Sequence, residues 1–273
     1  MRSKPAISQS ALLVALVLGA ALMMFPFLWT LITSLQPNGA VLSTPQIIPR
    51  QITDIGYQTL FQAIPFARSI ANSIGLAVVS TVLQVGTGAM AAYAFARLEF
   101  RGRGAIFVCY LATLMIPLQV LVVPLFVEMR TFHLVNTYQA ILAPSIASAF
   151  GVFLIRQAIL AVPMELDEAA LVDGAGHLRI FARVIVPNVR PALATFAVFA
   201  FMASWNSFLW PLVIIDSPDH ATLPLALATL HGQYTTQWNV VMAGSVLSIV
   251  PILLIYASLQ KYVVQSIATT GLK

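Results

Sequence analysis

Long apolar runs limit what this chain can fold into more than any other feature. Six segments of about 20 or more mostly apolar residues lie near 11–35, 70–96, 105–127, 138–160, 192–215 and 240–260. At about 1.5 Å rise per residue, roughly 20 helical residues cross the ~30 Å hydrocarbon core of a bilayer. Charged residues make up only 8% of the chain, against about 25% in soluble domains. The mean hydropathy is +0.90. The expected fold is an all-α, polytopic protein of six transmembrane helices in a lipid bilayer. The first run is too long for the apolar stretch of a signal peptide and reads as an uncleaved anchor. The second run is the least hydrophobic, with Ser80, Thr81, Gln84 and Thr87. Its Gly88 and Ala92 have the small-xxx-small spacing that lets helices approach closely, so it is expected to be buried among other helices.

Basic residues are spread unevenly over the connecting segments. Taken by alternate loops, eleven of the 14 Lys and Arg fall on one side, and only Arg50, Arg68 and Arg130 on the other. The Lys/Arg-rich side is the cytoplasmic one. Both termini, residues 97–104 and residues 163–191 are therefore expected inside, and residues 36–68, 131–137 and 216–239 outside. The net charge of +5 and the pI of 9.7 do not point to nucleic acid, because the basic residues sit in short loops rather than on one patch. Cys109 is the sole cysteine, which excludes an intramolecular disulfide and a thiolate metal cluster. His133, His177, His220 and His231 lie far apart without metal-ligand spacing, so no metal site is expected.

No Asp, Glu, Lys or Arg lies deep inside an expected span, whereas proton-driven carriers need ionisable groups at that depth. The chain has no P-loop either: that motif needs Gly-Lys, and the three lysines follow Ser3, Gln260 and Leu272. The missing charges speak against proton coupling, though not against sodium coupling through neutral oxygens, and the expected energy source for uphill transport is another polypeptide.

The polar interruption from Pro163 to Pro191 holds four of the nine acidic residues: Glu165, Asp167, Glu168 and Asp173. Pro163 suits the first position of a helix, and the acids that follow suit its positive end. Leu166, Ala169, Ala170 and Asp173 fall at i, i+3, i+4 and i+7 and share a face, kept shallow by the two alanines. Gly174 and Gly176 are expected to end this helix. A second one, His177–Val186, is expected to stop at Pro187. On physics alone the hairpin is either a docking element or a solvated connector.

Glu168-Ala169-Ala170, three residues, Gly174, nine residues and Val184-Ile185-Val186-Pro187 keep the spacing of a known signature. It resembles the E-A-A motif of permease subunits in binding-protein-dependent ABC importers, with Val184 and Val186 at its two variable aliphatic places. Asn72-Ser73, Ala91–Arg103, Met115–Phe126 and Phe150–Pro163 are similar to the carbohydrate-type permeases, the maltose-transporting branch among them. The resemblance implies the type I importer permease fold, with a cytoplasmic coupling helix seated in a cleft of an ATPase. Glu168, Ala169, Ala170, Asp173 and Gly174 would make that contact. It further implies a second permease subunit, two copies of a cytoplasmic ABC ATPase and an external solute-binding protein. ATP and Mg would be bound by the ATPase, leaving this chain without a cofactor or a catalytic residue. The membrane would be the bacterial or archaeal inner membrane, and the permease domain residues 11–262, between a short N-terminus and a tail of residues 263–273. In that tail Ser266 stands where the family has a glycine, and Gly271 is displaced.

The resemblance makes 216–239, with Asp216, Asp219, Tyr234 and Trp238, a contact for the binding protein; Trp238 alone reads as a residue of the membrane interface. Gln84, Trp205 and Asn206 are candidates for the solute path, with interhelical hydrogen bonding the simpler account of Trp205 and Asn206. The expected activity is import of a sugar or sugar-like solute. A permease for another solute class and a stand-alone secondary carrier are the alternatives, and no constellation supports a membrane-bound enzyme.

Overall fold

The computed structural model describes residues 9–39, 51–231 and 236–270, and among these the regular structure is helical, with no strand. Arg2, Lys4, Arg50, Tyr234 and Gly271, on which some expectations above rest, lie outside the described residues. Helix α1 (Gln9–Ser34) is followed by the short α2 (Ile55–Ala63) and the 32-residue α3 (Phe66–Arg97). Of these, α1 and α3 are long and apolar enough to cross a membrane.

Three expected spans are broken rather than straight. Helix α4 (Arg103–Ala112), with its tighter last turn Thr113–Met115, meets α5 (Leu118–Thr131) at 99°. The cause is Pro117, whose ring disfavours helical backbone in the preceding residue; Ile116 is extended, with φ −92 and ψ 111. Helix α6 (Tyr138–Leu142), extended by the turn Ala143–Ser145, and α7 (Ala149–Leu160) are bent by 46°. Ser148 restarts the helix there, its Oγ accepting from the Gly151 N–H at 3.2 Å. After the hairpin of α8 (Glu165–Val172) and α9 (His177–Asn188), α10 (Arg190–Trp205) leaves α9 at 80°. The expected segment 192–215 is interrupted at residues 206–208, before α11 (Leu209–Ile214). Helices α12 (Leu223–Ala228) and α13 (Trp238–Thr270) complete the chain. Apolarity alone does not register a proline or a capping serine, which is why the runs read as continuous.

Packing divides the chain into two units, Met1–Phe66 with Ala226–Pro251 and Ala67–Leu225 with Ile252–Lys273. In the first, Gly56 permits a close approach: a Cβ there would lie 2.9 Å from the Ser34 carbonyl oxygen and 3.0 Å from that of Asn239. Asn239 is buried and donates through Nδ2 to the Gln36 carbonyl at 3.1 Å and to Asn38 Oδ1 at 2.8 Å. The second unit is built on Ala89, Ala92 and Tyr93 of α3, Val152, Ile155 and Ile159 of α7, Ile180 and Ile185 of α9 and Phe196 of α10. Gly151 lies directly under the Phe196 ring, where a Cβ would come within 2.2 Å of Cζ. Helix α3 is covered along one face only: Ala77, Ser80, Ala92 and Tyr93 are buried, whereas Val78, Val82 and Met90 are exposed.

Candidate functional site

The hairpin of α8 and α9 forms as the charge and glycine pattern dictates. Helix α8 starts at Glu165, two residues after Pro163 rather than on it, with Met164 as its first cap and Glu165, Asp167 and Glu168 in its first turn. It ends in a Schellman turn. The Gly174 N–H donates to the Leu171 carbonyl and the Ala175 N–H to the Ala170 carbonyl, each at 2.9 Å. Gly174 has φ +78, the left-handed conformation that favours glycine. Gly176 does not end this helix; it caps the start of α9, its carbonyl accepting from Arg179 and Ile180. Helix α9 runs one residue past Pro187, through a wide turn at Phe181–Ile185. The Asn188 side chain donates through Nδ2 to the Val184 carbonyl at 2.7 Å one turn back.

Five residues are the candidates for docking. Glu168, Ala169, Asp173 and Gly174 are exposed, and Ala170 turns inward against the core. The shared face expected for Leu166, Ala169, Ala170 and Asp173 is thus divided: Ala170 packs and the rest face out. Beside them Leu166, Leu171, Val172 and Leu178 are uncovered, Val172 at 88% and Leu178 at 84% exposure. The result is an apolar knob edged by carboxylates.

The last turns of α3 hold this hairpin from beneath. Arg97 Nε lies 2.6 Å from Asp167 Oδ2, and each side chain is only 6% exposed. Arg97 also donates through Nη2 to the Val162 carbonyl at 2.7 Å. One turn back, Tyr93 lies with its hydroxyl 3.5 Å from His177 Nδ1 and its ring 5.4 Å from that of Phe181. In sequence Arg97 reads only as a positive charge inside and Asp167 only as a carboxylate suited to a helix start; their pairing has no signal in either segment alone.

At its other end α3 holds the segment 216–223. Arg68 pairs with Asp219 at 2.7 Å. Asn72 Nδ2 donates to the carbonyls of Asp219 and Ala221, and Asn72 Oδ1 accepts from the Tyr138 hydroxyl at 2.8 Å. Asn136 Oδ1 accepts from the backbone N–H groups of Asp216 and Ser217. The segment that carries no Lys or Arg of its own therefore borrows its cation from α3.

A cavity of about 380 Å³ opens between α3, the α4–α5 bend, the α6–α7 bend and the α10–α11 break. Its polar lining comes from Ser80, Gln84, Thr113, Ser145, Ser148, Ser204 and Ser207, with Trp210 beside them and no charged residue. Gln84 Nε2 donates to Ser80 Oγ at 2.8 Å, and Ser80 donates on to Ser145 Oγ at 3.3 Å. Of the three solute-path candidates the structure brings only Gln84 here. Trp205 is buried and stacks on Phe201 at 5.9 Å, and Asn206 Nδ2 is spent on the Met202 carbonyl at 2.9 Å. Ser145 and Ser148 come from the α6–α7 bend and Ser204 and Ser207 from the α10–α11 break, so no single segment of the sequence shows them beside Ser80 and Gln84.

A helical membrane chain with such breaks and a projecting hairpin matches the architecture of ABC importer permeases. A subunit of a bacterial ABC transporter that imports the acidic polysaccharide alginate superposes with a TM-score of 0.82 at 26% identity, covering 95% of this chain and 99% of that one. The chain belongs to the family of binding-protein-dependent transport system inner membrane components, whose profile matches residues 84–269. Its relatives include the arabinooligosaccharide permease AraQ of Bacillus subtilis, 33% identical over 92% of this chain and 91% of that one. The lactose permease LacG of Rhizobium radiobacter is 36% identical over the same shares.

Proposed function

We propose that this chain is one permease of an ATP-driven importer for a neutral sugar or oligosaccharide delivered by an external binding protein. The observation that carries the reading is the hairpin: a short helix anchored by a buried ion pair on one side, with Glu168, Ala169, Asp173 and Gly174 exposed beside an uncovered apolar knob on the other. Such a knob suits a cleft on a soluble partner, and the partner the family supplies is an ATPase. Helix α8 is the coupling helix in this reading, and ATP and Mg are bound and turned over on the ATPase, not here. In this reading α1, α3, α4 with α5, α6 with α7, α10 with α11, and α13 make six spans, with both termini and the hairpin in the cytoplasm. A second permease completes the pathway, with two ATPase copies below and the segment 216–239 facing the binding protein.

The sugar class draws support from the arabinooligosaccharides and lactose of the relatives and from the cavity. Its hydroxyls and amide, without a formal charge, suit an uncharged polyhydroxylated solute. Gln84 is buried, lines the cavity, and its Oε1 accepts no hydrogen bond among the described residues. The test is purification in mild detergent with mass spectrometry of what accompanies the chain. A second permease and a P-loop ATPase are the expected companions. A clean homo-oligomer without ATPase would put a stand-alone carrier in its place.

A further inference from the structure

We infer that α3 is a connecting rod between the docking hairpin and the outer loop, and that the buried pair Arg97–Asp167 is its inner joint. The inference rests on the importer reading above and assigns positioning roles to residues that reading does not use. Helix α3 has 32 residues and no proline, so at about 1.5 Å per residue it spans roughly 48 Å as one stiff body. Its final turns grip both arms of the hairpin: Arg97 takes Asp167 of α8 and the Val162 carbonyl before it, and Tyr93 takes His177 and Phe181 of α9. Its first turns grip 219–223 through Arg68, Asn72 and Ser73, the last accepting from the Leu223 N–H at 2.7 Å. A force on either docking element therefore meets the same helix.

The inner joint is a poor way to gain stability. Asp167 Oδ1 is buried and makes no hydrogen bond, and Arg97 Nε faces Oδ2 without hydrogen-bond alignment. A buried pair left half satisfied is commonly no better than an apolar pair of the same size. What charges supply and apolar side chains do not is one preferred geometry. Here that geometry fixes the angle of the hairpin against α3, because the guanidinium must meet Asp167 and the Val162 carbonyl together.

The test uses the whole importer with Cys109→Ser and Asp216→Cys, which places one thiol on the exposed outer loop. A membrane-impermeant maleimide reads its accessibility with ATP and Mg, trapped by vanadate, against ADP. In the parent, the labelling rate is expected to change at least about fivefold between the two nucleotide states, the lower end of ordinary coupling between distant sites. With Arg97→Met and Asp167→Leu together no charge is left stranded. ATPase co-purification and basal hydrolysis should then persist while the nucleotide effect on labelling disappears. Labelling insensitive to nucleotide in the parent, or equally sensitive in the double variant, overturns the rod. If the double variant fails to assemble, Arg97→Lys decides: the charge stays but the planar fork that meets Asp167 and the Val162 carbonyl from two nitrogens is lost, so parental sensitivity overturns the proposal and reduced sensitivity supports it. Absence of any ATPase in the parent preparation instead sinks the importer reading itself.

Discussion

Two residues of the hairpin separate intramolecular from intermolecular roles. A Cβ on Gly174 meets nothing within 4 Å, and Asp is among the residues that tolerate its left-handed backbone. Gly174→Asp therefore costs the fold no more than about 1–2 kcal/mol. Glu168 is exposed, and Glu168→Lys gives up a favourable dipole contribution of about 0.3–1 kcal/mol and adds an unfavourable one of similar size. Both variants are expected to reach the membrane at parental levels and to abolish uptake, which immunoblotting beside a transport assay checks; normal uptake by both would remove the coupling role. In the cavity, Gln84→Leu deletes the free acceptor. Loss of one hydrogen bond worth about 0.5–1.5 kcal/mol should lower uptake of the sugar selected in a binding-protein screen by roughly two- to tenfold, with ATPase association unchanged.

At the scale of elements, the joint between α3 and α8 makes a distinctive stability prediction. Asp167→Ala strands the Arg97 guanidinium in a buried site, at a cost of about 3–5 kcal/mol. Its melting temperature in detergent should fall well below that of the Arg97→Met, Asp167→Leu double variant. Equal melting of the two would show that the charges are already solvated. This is also where the sequence stops being legible. Hydropathy located every apolar segment, and the glycines and acids located the hairpin, because those signals are local. The 99° turn at Pro117 and the interruption at 206–208 were absorbed into continuous runs, because a break of two or three residues hardly changes a 20-residue average. The cavity was invisible for the same reason: Ser80, Ser145, Ser148, Ser204 and Ser207 converge only once the breaks are in place. Gln84 stands out in sequence as an amide in an apolar span, whereas Trp205 and Asn206, singled out beside it, do not line the cavity.

For the molecule as a whole, the energy source separates the readings most sharply. Cells depleted of ATP with the ion gradient held should lose uptake through this chain within the time of depletion. Persistence would favour a secondary carrier, despite the lack of ionisable groups at membrane depth. In the proposed reading such energy enters through the hairpin, whose bend is written into the backbone. The Schellman turn at Gly174 closes through main-chain hydrogen bonds, and Asp167 and Ala170 face the core, so the outward side chains have little part in setting the shape. Form and surface lettering are thus separate inheritances. A lineage can rewrite Glu168, Ala169, Leu171 and Val172 to suit a different motor, or to refuse one, while the lever beneath keeps its pitch.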